Sequence, residues 1–314
     1  MTATADRKAQ PPVTVAQSAP VPPPATTAER KSFRRDLVEV VKDLWNYREL
    51  LAQITRRDIK IRYKQAAMGF AWALFMPILV VMAGLIIRWA IASVGGAPLD
   101  KSGAGALMVK GLAWSFFVGT IGFATPSLSG NMTLVTKIYF PREVLPMAAV
   151  GAVGFDSIIA GTTVLLLIPF FGAQLSPALL WAPVLLVLLV AFTSAAALFL
   201  SCANLFFRDV KYIVQVLLTF GIFFTPVLYE PAVLGPQGQW AMLNPLAPIL
   251  EGLRLSIFHS HNLLEPLVVT GRTGAEVIAW SPWYLVYSAV LSLGGVSLAA
   301  VLFHRAEFAF AEFV

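Results

Sequence analysis

Six long apolar runs divide the chain, and charged residues, glycine or proline bound each of them. A helix needs about 20 predominantly apolar residues to cross the roughly 30 Å hydrocarbon core of a bilayer. The runs are of that order and cover residues 68–93, 107–128, 145–171, 179–206, 212–229 and 283–303. The pattern predicts an all-α integral membrane protein with about six transmembrane helices.

The composition of the chain agrees with a membrane protein. Hydrophobic residues make up 58% of it and charged residues 13%, with a mean hydropathy of +0.75. A soluble domain of this composition would expose more apolar surface than water tolerates. The net charge of +6 comes largely from the N-terminal part, which indicates membrane orientation rather than nucleic-acid binding. The single Cys202 excludes an intrachain disulfide and a thiolate metal cluster.

The chain before the first apolar run has two parts. Residues 1–28 are rich in Pro, Ala and Thr, which predicts a disordered cytoplasmic tail. In residues 29–65, apolar side chains recur at helical spacing from Leu37 to Ile54. This spacing predicts an amphipathic interfacial helix on the inner membrane surface, with packing on a soluble partner as the alternative. Residues 66–314 form the predicted transmembrane domain.

A basic block ends the N-terminal part and abuts the first apolar run. Because positive residues concentrate in cytoplasmic segments, the block places the start of the first helix at the cytoplasmic face. With about six spans, both termini are then cytoplasmic. The cations of the block are Arg56, Arg57, Lys60, Arg62 and Lys64.

A short charged stretch, residues 131–146, separates the second apolar run from the third. Lys137 and Arg142 indicate that it is cytoplasmic, and Pro141 would end a short helix within it. The apolar residues at the spacing of one helical face are Leu134, Ile138 and Tyr139. A cytoplasmic helix with an apolar face is suited to contact a partner. The stretch therefore predicts a channel subunit that is driven by a separate soluble motor.

Residues 230–282 are too long for a turn and too apolar for an exposed loop, and prolines punctuate them. The apolar part, residues 243–258, is too short to span a membrane. The segment predicts a pair of re-entrant or interfacial helices on the outer side, where an insertion could shape an exit gate. A plain amphipathic outer loop is the alternative.

Few residues indicate chemistry. Residues 95–102 come close to a phosphate-binding loop, but Asp100 occupies the place of the second glycine and no strand precedes it. The chain is therefore predicted to have no ATP site of its own. His259 and His261 lack a cysteine or carboxylate at ligand spacing, so no metal site is predicted. No nucleophile–base pair indicates an enzyme.

Asp156 is a charge near the middle of the third apolar run, where insertion costs about 2.5–3.5 kcal/mol. It either bonds a neighbouring helix, through Thr162 or a hydroxyl of another helix, or lines a conduit. A lone carboxylate without a relay of ionisable groups argues against a proton-coupled carrier.

Aromatic residues crowd the first, second and fifth apolar runs. For each of them, contact with lipid is the simpler interpretation. The alternative is a conduit whose aromatic faces contact the C–H faces of sugar rings and let a polymer slide. With Asp156, the candidates for lining this conduit are Trp72, Phe75, Trp114, Phe117, Phe223, Phe224 and Tyr229.

Taken as a set, short motifs resemble those of the ABC type-2 permeases that export cell-surface polysaccharides. The resemblance runs from about Asp36 to the C-terminus and leaves out the Pro-rich tail. The motifs are 45–51 (WNYRELL), 57–65 (RDIKIRYKQ), 69–74 (GFAWAL) with Pro77, Asn131, 137–143 (KIYFPRE), 145–146 (LP), 206–210 (FFRDV), 225–229 (TPVLY) and 244–246 (NPL).

The resemblance implies a homodimer in the bacterial inner membrane, bound to two copies of an ATPase subunit that would hold ATP and Mg²⁺. The cargo would be a lipid-linked glycan such as O-antigen, capsule or a teichoic-acid-like polymer. The basic block is then a hypothetical site for the pyrophosphate of this cargo at the cytoplasmic entrance. The Pro-rich outer segment would form re-entrant helices near the exit.

The resemblance also implies that residues 131–146 contain the coupling helix, which would be seated on the ATPase. The predicted contact residues are Leu134, Lys137, Ile138, Tyr139, Phe140, Arg142 and Glu143.

Two alternative functions remain open at this stage. A type-2 ABC exporter of a drug or a small lipid would share the architecture and differ only in cargo. An ion-coupled secondary transporter would need no ATPase, but its sequence should show paired ionisable relays or an internal repeat. Neither is seen in the sequence.

Overall fold

The computed structural model describes residues 32–64, 101–137, 140–173, 176–270 and 276–313, with isolated helical positions between 71 and 93. Residues Phe33–Val314 form one compact unit. In the described part the chain is mostly helical and has one two-stranded sheet.

Four helices of the described part are long and apolar enough to cross a membrane. They correspond to the apolar runs 107–128, 145–171, 179–206 and 283–303, so these predicted helices are confirmed. They are α3 (Lys101–Ala124), α5 (Val144–Leu167), α6 (Trp181–Phe206), and α10 (Pro282–Ala289), which continues through a π-helical turn (Val290–Gly294) into α11 (Gly295–Phe313).

The two other predicted spans have different outcomes. The run 212–229 forms a helix of only 15 residues, α7 (Val210–Phe224), before the backbone becomes extended at Thr225. Pro226 explains this early end, because the residue before a proline is restricted to extended conformations. The run 68–93 lies outside the continuously described residues.

The N-terminal part contains two helices, α1 (Phe33–Asn46) and α2 (Arg48–Tyr63), where the spacing from Leu37 to Ile54 predicted a single one. The prediction of one continuous helix was wrong at Tyr47, whose φ of −95° and ψ of 19° are not helical. The Arg48 side chain donates a hydrogen bond to the carbonyl of Trp45 at 3.4 Å and lies over the Trp45 ring. These local contacts accompany the break and satisfy a carbonyl at the end of α1.

Helix α2 packs along α5. Ile54 is buried in the same cluster as Leu145. A Cβ atom placed on Gly151 would lie 3.2 Å from the Thr55 side chain, so the small residue allows the two helices to approach closely. As a result of this packing, the basic C-terminal end of α2 lies beside α5.

The segment between α7 and α10 begins with a 3₁₀ turn (Pro231–Gln237) and α8 (Gly238–Ala241). Helix α9 (Leu246–Phe258) follows, and all 13 of its residues are buried. Its Gly252 fits against Leu185 of α6, and its Phe258 fills the space beside Gly105 of α3. The predicted short helix at 243–258 is therefore present, inside the bundle, whereas its re-entrant role stays a prediction.

An antiparallel hairpin of β1 (Leu267–Thr270) and β2 (Glu276–Trp280) completes this segment and was not predicted. The end of the bundle that holds α9 and this hairpin is called the hairpin end below. The opposite end, where α3 leads into α4 (Met132–Lys137) and then into α5, is called the α4 end.

Candidate functional site

Residues 125–143, called the loop segment, join α3 to α5 at the α4 end. A 3₁₀ turn (Ser129–Asn131) precedes α4, and the Asn131 amide donates a hydrogen bond to the Ser127 carbonyl at 2.8 Å. Asn204 of α6 donates to Ser129 Oγ at 3.1 Å, which anchors the turn to the bundle. The short helix predicted in this stretch is therefore present and held by neighbouring polar groups.

Helix α4 buries Val135 and exposes Thr133 and Thr136. Leu134 is half-buried against the core, and Lys137 is the last residue of the helix. Ile138 and Tyr139 lie outside the described residues. The two exposed threonines were not singled out from the sequence, because a threonine carries no clear sign of a contact surface.

The second half of the loop segment turns inward and contacts α11. Phe140 is buried, and the Arg142 guanidinium donates to the backbone oxygen of Glu307 at 3.0 Å. Glu143 is 1% exposed, and its Oε1 lies 3.2 Å from Nδ1 of His304. An ATPase contact by these side chains stays a prediction. In the described chain they contact other parts of the same molecule.

Helix α1 joins the same polar region. Arg305 donates a hydrogen bond to Asp36 at 2.7 Å, and Nε2 of His304 lies 3.7 Å from Glu39. Three segments that are distant in sequence, α1, the loop segment and α11, are thus connected by charged side chains at the α4 end.

The basic block is divided by its contacts. Arg62 forms an ion pair with Asp156 of α5, and Tyr63 donates a hydrogen bond to the same carboxylate. The Arg62 guanidinium also lies over the Phe123 ring, 4.7 Å from its centroid. Burial raises the pKa of Tyr63, and its hydrogen bond to Asp156 acts in the same direction, so the phenol stays protonated and remains a donor.

Asp156 therefore bonds a neighbouring helix, which was one of its two predicted roles. Its partners are Arg62 and the Tyr63 hydroxyl of α2. A hydroxyl of another helix was one of the two predicted partners, whereas the other, Thr162, donates to the Ile158 carbonyl. At about 1.5 Å per residue, Asp156 lies about 18 Å along α5 from Val144, near the middle of this membrane-length helix. The ion pair compensates a charge that would be costly in apolar surroundings.

The remaining cations of the block differ in accessibility. Arg57 is paired with the adjacent Asp58 at 2.8 Å. Arg56, Lys60 and Lys64 are exposed and follow one another at a spacing of four residues. This spacing places them along one side of α2. The three form a cationic stripe.

A buried charge network at the hairpin end was missed by the sequence analysis. Lys110 of α3 is 2% exposed, and its ammonium lies 2.7 Å from Glu251 of α9, which is 1% exposed. The ammonium also donates to the carbonyls of Pro226 and Tyr229 at 3.0 and 3.2 Å. Lys110 thus connects three segments: α3, α9 and the chain that leaves α7.

Arg254 completes the network from the same helix as Glu251. Its Nε donates to Glu251 Oε1 at 2.8 Å, and its Nη1 lies 3.4 Å from Glu230 and 2.6 Å from Nε2 of His259. The two cations and two carboxylates balance. The signal available in the sequence was the presence of Lys110, Glu251 and Arg254 within apolar runs, where unpaired charges are rare.

The predicted conduit residues fall into separate groups. Trp114 and Phe117 are in the interior with their ring centroids 5.8 Å apart, and Phe117 stacks on Phe192. Phe223 and Phe224 are exposed on α7, and Phe75 is exposed as well. The Tyr229 hydroxyl donates to the Phe223 carbonyl. Trp72 lies outside the described residues. The lining of a conduit by these residues stays a prediction.

A cavity of about 480 Å³ lies between α3 and α7 toward the α4 end. Its walls combine apolar side chains with groups that can form hydrogen bonds. The polar lining residues are Thr125, Lys211, Tyr212, Gln215 and Thr219. The cavity was not predictable from the sequence, because its two walls come from separate apolar runs.

These observations define a multi-pass helical membrane protein with a polar connection between two of its long apolar helices. Residues 49–258 match the family described as ABC-2 type transporter, and the chain belongs to that family.

Curated relatives extend the similarity over most of the chain. An O-antigen export system permease protein RfbA of Myxococcus xanthus is 27% identical over 252 residues, which is 78% of this chain and 94% of the relative. Two proteins of that name from Klebsiella pneumoniae are 26% and 25% identical, covering 71% and 84% of this chain and 86% and 94% of the relatives.

Removal of the Lys110 charge is expected to destabilise the protein strongly. Lys110→Met removes the ammonium that faces Glu251 and leaves an excess of negative charge in the described network, and breaking a buried ion pair costs about 3–5 kcal/mol. The double variant Lys110→Met/Glu251→Gln leaves the balanced pair of Arg254 and Glu230. Its loss of stability should therefore be smaller than the sum of the losses in the two single variants. Thermal denaturation of the purified chain in detergent measures both. If the stability losses of the two single variants added up to that of the double variant, the coupling of Lys110 and Glu251 would be contradicted.

Removal of the Arg62 charge should destabilise the contact between α2 and α5. Arg62→Met leaves Asp156 with Tyr63 as its described partner, and a hydrogen bond to a charged group contributes about 1.5–3 kcal/mol. Lys60→Met removes an exposed charge from the same helix and serves as the matched control, with little expected loss. Thermal denaturation of the two variants side by side tests this, and equal stability would show that the ion pair contributes nothing.

Proposed function

We propose that the chain is the transmembrane subunit of an ATP-driven exporter of a lipid-linked cell-surface polysaccharide. The curated relatives named as O-antigen export permeases support this function, since they match along most of their own length. The subunit lies in the bacterial inner membrane with both termini in the cytoplasm. The exporters of drugs or small lipids and the ion-coupled carriers are not favoured by these relatives.

The structural observation that carries the proposal is α4, a six-residue helix in the connection between two membrane-length helices. In this function the α4 end faces the cytoplasm and α4 sits on a separate ATPase, which binds ATP and Mg²⁺. The ATPase approaches the exposed side of α4, which carries Thr133 and Thr136. Arg142 and Glu143 do not contact the ATPase in this arrangement and instead fix the loop segment to α11.

The cationic stripe is the part of the basic block that serves the cargo. Arg56, Lys60 and Lys64 are exposed, whereas Arg57 and Arg62 are paired with Asp58 and Asp156. Exposed cations near the cytoplasmic membrane surface attract anionic headgroups by about 1 kcal/mol each. The stripe therefore binds the pyrophosphate that links the glycan to its lipid.

Two subunits form the exporter, and α7 lies where they meet. Of the 15 residues of α7, only Val214 is buried in the single chain, and Phe224 is 75% exposed. A second copy of this chain covers part of this apolar surface. The cavity beside α7 offers hydroxyl, amide and ammonium groups to the hydroxyls of a glycan, which suits a sugar polymer better than an apolar drug.

The contact of α4 with the ATPase can be tested by co-purification of the tagged chain with its genetically adjacent ATPase. Thr133→Arg places a large cation on the exposed side of α4 and should lower the recovered ATPase at least about tenfold, since a like-charge or steric misfit costs more than about 1.4 kcal/mol. Thr270→Arg makes the same change on the exposed face of β1 at the hairpin end, and it should recover ATPase as the wild type does.

Three outcomes of this experiment separate the possibilities. Loss with Thr133→Arg alone supports the α4 contact. Equal recovery with both variants shows that the ATPase binds elsewhere. If the wild type recovers no ATPase, the exporter function itself is contradicted.

The role of the cationic stripe can be tested on the assembled complex. Replacing Arg56, Lys60 and Lys64 together by Gln should reduce the stimulation of ATP hydrolysis by lipid-linked glycan, without loss of the ATPase from the complex. Replacing the three exposed cations Arg34, Arg35 and Lys42 of α1 removes the same charge and is the matched control. Equal effects of the two triple variants would indicate a general surface charge, and dissociation of the complex would indicate a structural role.

A further inference from the structure

Glu143, His304 and Glu307 come together at the α4 end and are called the Glu–His–Glu cluster. Each can offer one ligand atom such that all three atoms lie within 4.8 Å of one another. Glu143 comes from the loop segment, whereas the other two lie near the end of α11. The cluster was not predicted from the sequence, because Glu143 and His304 are 161 positions apart.

Glu143 supplies the observation that points to a ligand. Its Oε1 lies 3.2 Å from His304, but its Oε2 is buried and accepts no hydrogen bond. An oxygen of a buried carboxylate that lacks a partner is costly, so such atoms are rare unless an ion or water satisfies them. The cluster thus contains a buried anionic ligand atom in need of a partner.

Neighbouring groups hold the side chains of His304 and Glu307 in place, as the residues around a metal site hold its ligands. Nδ1 of His304 faces Glu143, while Nε2 lies 3.7 Å from the carboxylate of Glu39. A histidine that binds a metal through one nitrogen usually directs the other to a carboxylate or carbonyl. Glu307 accepts a hydrogen bond from the Arg142 backbone amide through Oε1 at 3.3 Å. This hydrogen bond fixes the carboxylate beside the cluster.

We propose that Glu143, His304 and Glu307 bind a divalent transition metal such as Zn²⁺. Two carboxylates and one imidazole form a donor set that suits Zn²⁺, Mn²⁺ or Fe²⁺, and the imidazole disfavours Ca²⁺ and Mg²⁺. Metal–ligand distances of about 2.0–2.2 Å require the three ligand atoms to move closer by about 1 Å or more, which side-chain rotation permits. His304 then gives up its contact with Glu143 Oε1 and binds as the neutral imidazole.

A metal at this position would tie the loop segment to α11 more firmly than the present contacts do. The Arg142 guanidinium lies beside the cluster, with Nε 3.9 Å from Glu307 Oε1, and it donates to the Glu307 backbone oxygen. It therefore opposes a second cation and balances part of the negative charge of the cluster. The proposal is independent of the exported cargo and of the ATPase.

The test is Zn²⁺ binding by the purified full chain after chelator treatment, measured by calorimetry and by elemental analysis after dialysis. The wild type should retain about one Zn²⁺ per chain. His304→Ala and Glu143→Gln each change a direct ligand and should weaken binding by at least the roughly 10–100-fold that changes of outer-shell partners cost. His261→Ala removes a histidine at the hairpin end and should bind as the wild type does.

X-ray absorption of the Zn²⁺-loaded wild type gives a second test that needs no variant. The expected spectrum has nitrogen or oxygen ligands and the scattering of one imidazole. A wild type that binds no Zn²⁺, a spectrum without imidazole, or equal binding by the wild type and His304→Ala would each overturn the proposal.

Discussion

The structure depends on one constraint, that a charge inside an apolar bundle must find its partner within the chain. Transfer of an ionised group away from water is costly unless it is paired and hydrogen-bonded. Lys110 meets this requirement with Glu251, and Asp156 meets it with Arg62. Each pair joins helices that are far apart in sequence. The requirement to pair therefore helps to determine which helices lie side by side.

At the hairpin end, one paired side chain stabilises several segments at once. Helix α7 ends early, and the last carbonyls of a helix have no partner within it. Lys110 donates to the carbonyls of Pro226 and Tyr229, just beyond that end, while its charge is balanced by Glu251 of the buried helix α9. One ammonium thus satisfies open backbone groups and holds α9 in the bundle. The buried position of α9 follows from this arrangement as well as from its apolar surface.

The sequence predicted the features that depend on many residues within one segment. Long apolar runs such as 179–206 accumulate their signal over about 20 positions, so the membrane-length helices were predictable. A short helix was expected where α4 lies, from the spacing of Leu134, Ile138 and Tyr139 before Pro141. Of these three, Leu134 is the one within α4, which ends at Lys137. Asp156 was recognisable as a charge that needs a partner. Its partner was not, since Arg62 lies 94 positions away and belongs to another helix.

Other features were not predictable because they arise from single local contacts or from tertiary structure. The break at Tyr47 interrupts a spacing that suits one continuous helix, and a side-chain contact of Arg48 accompanies it. The hairpin of β1 and β2 has strands of four and five residues, too short for a clear alternating pattern.

The pairing of charges also decides which surfaces remain for partners. The basic block contains five cations in sequence, but pairing of Arg57 and Arg62 leaves three exposed ones, Arg56, Lys60 and Lys64. The exposed cations of the block therefore form a single line along α2 instead of a diffuse basic patch. On α4 the charged residues that follow the helix are likewise turned inward, toward α11. The exposed side chains described on α4 are then those of Thr133 and Thr136. At that end the charges of Arg142 and Glu143 serve contacts inside the chain, whereas on α2 three cations remain exposed because pairing has not used them.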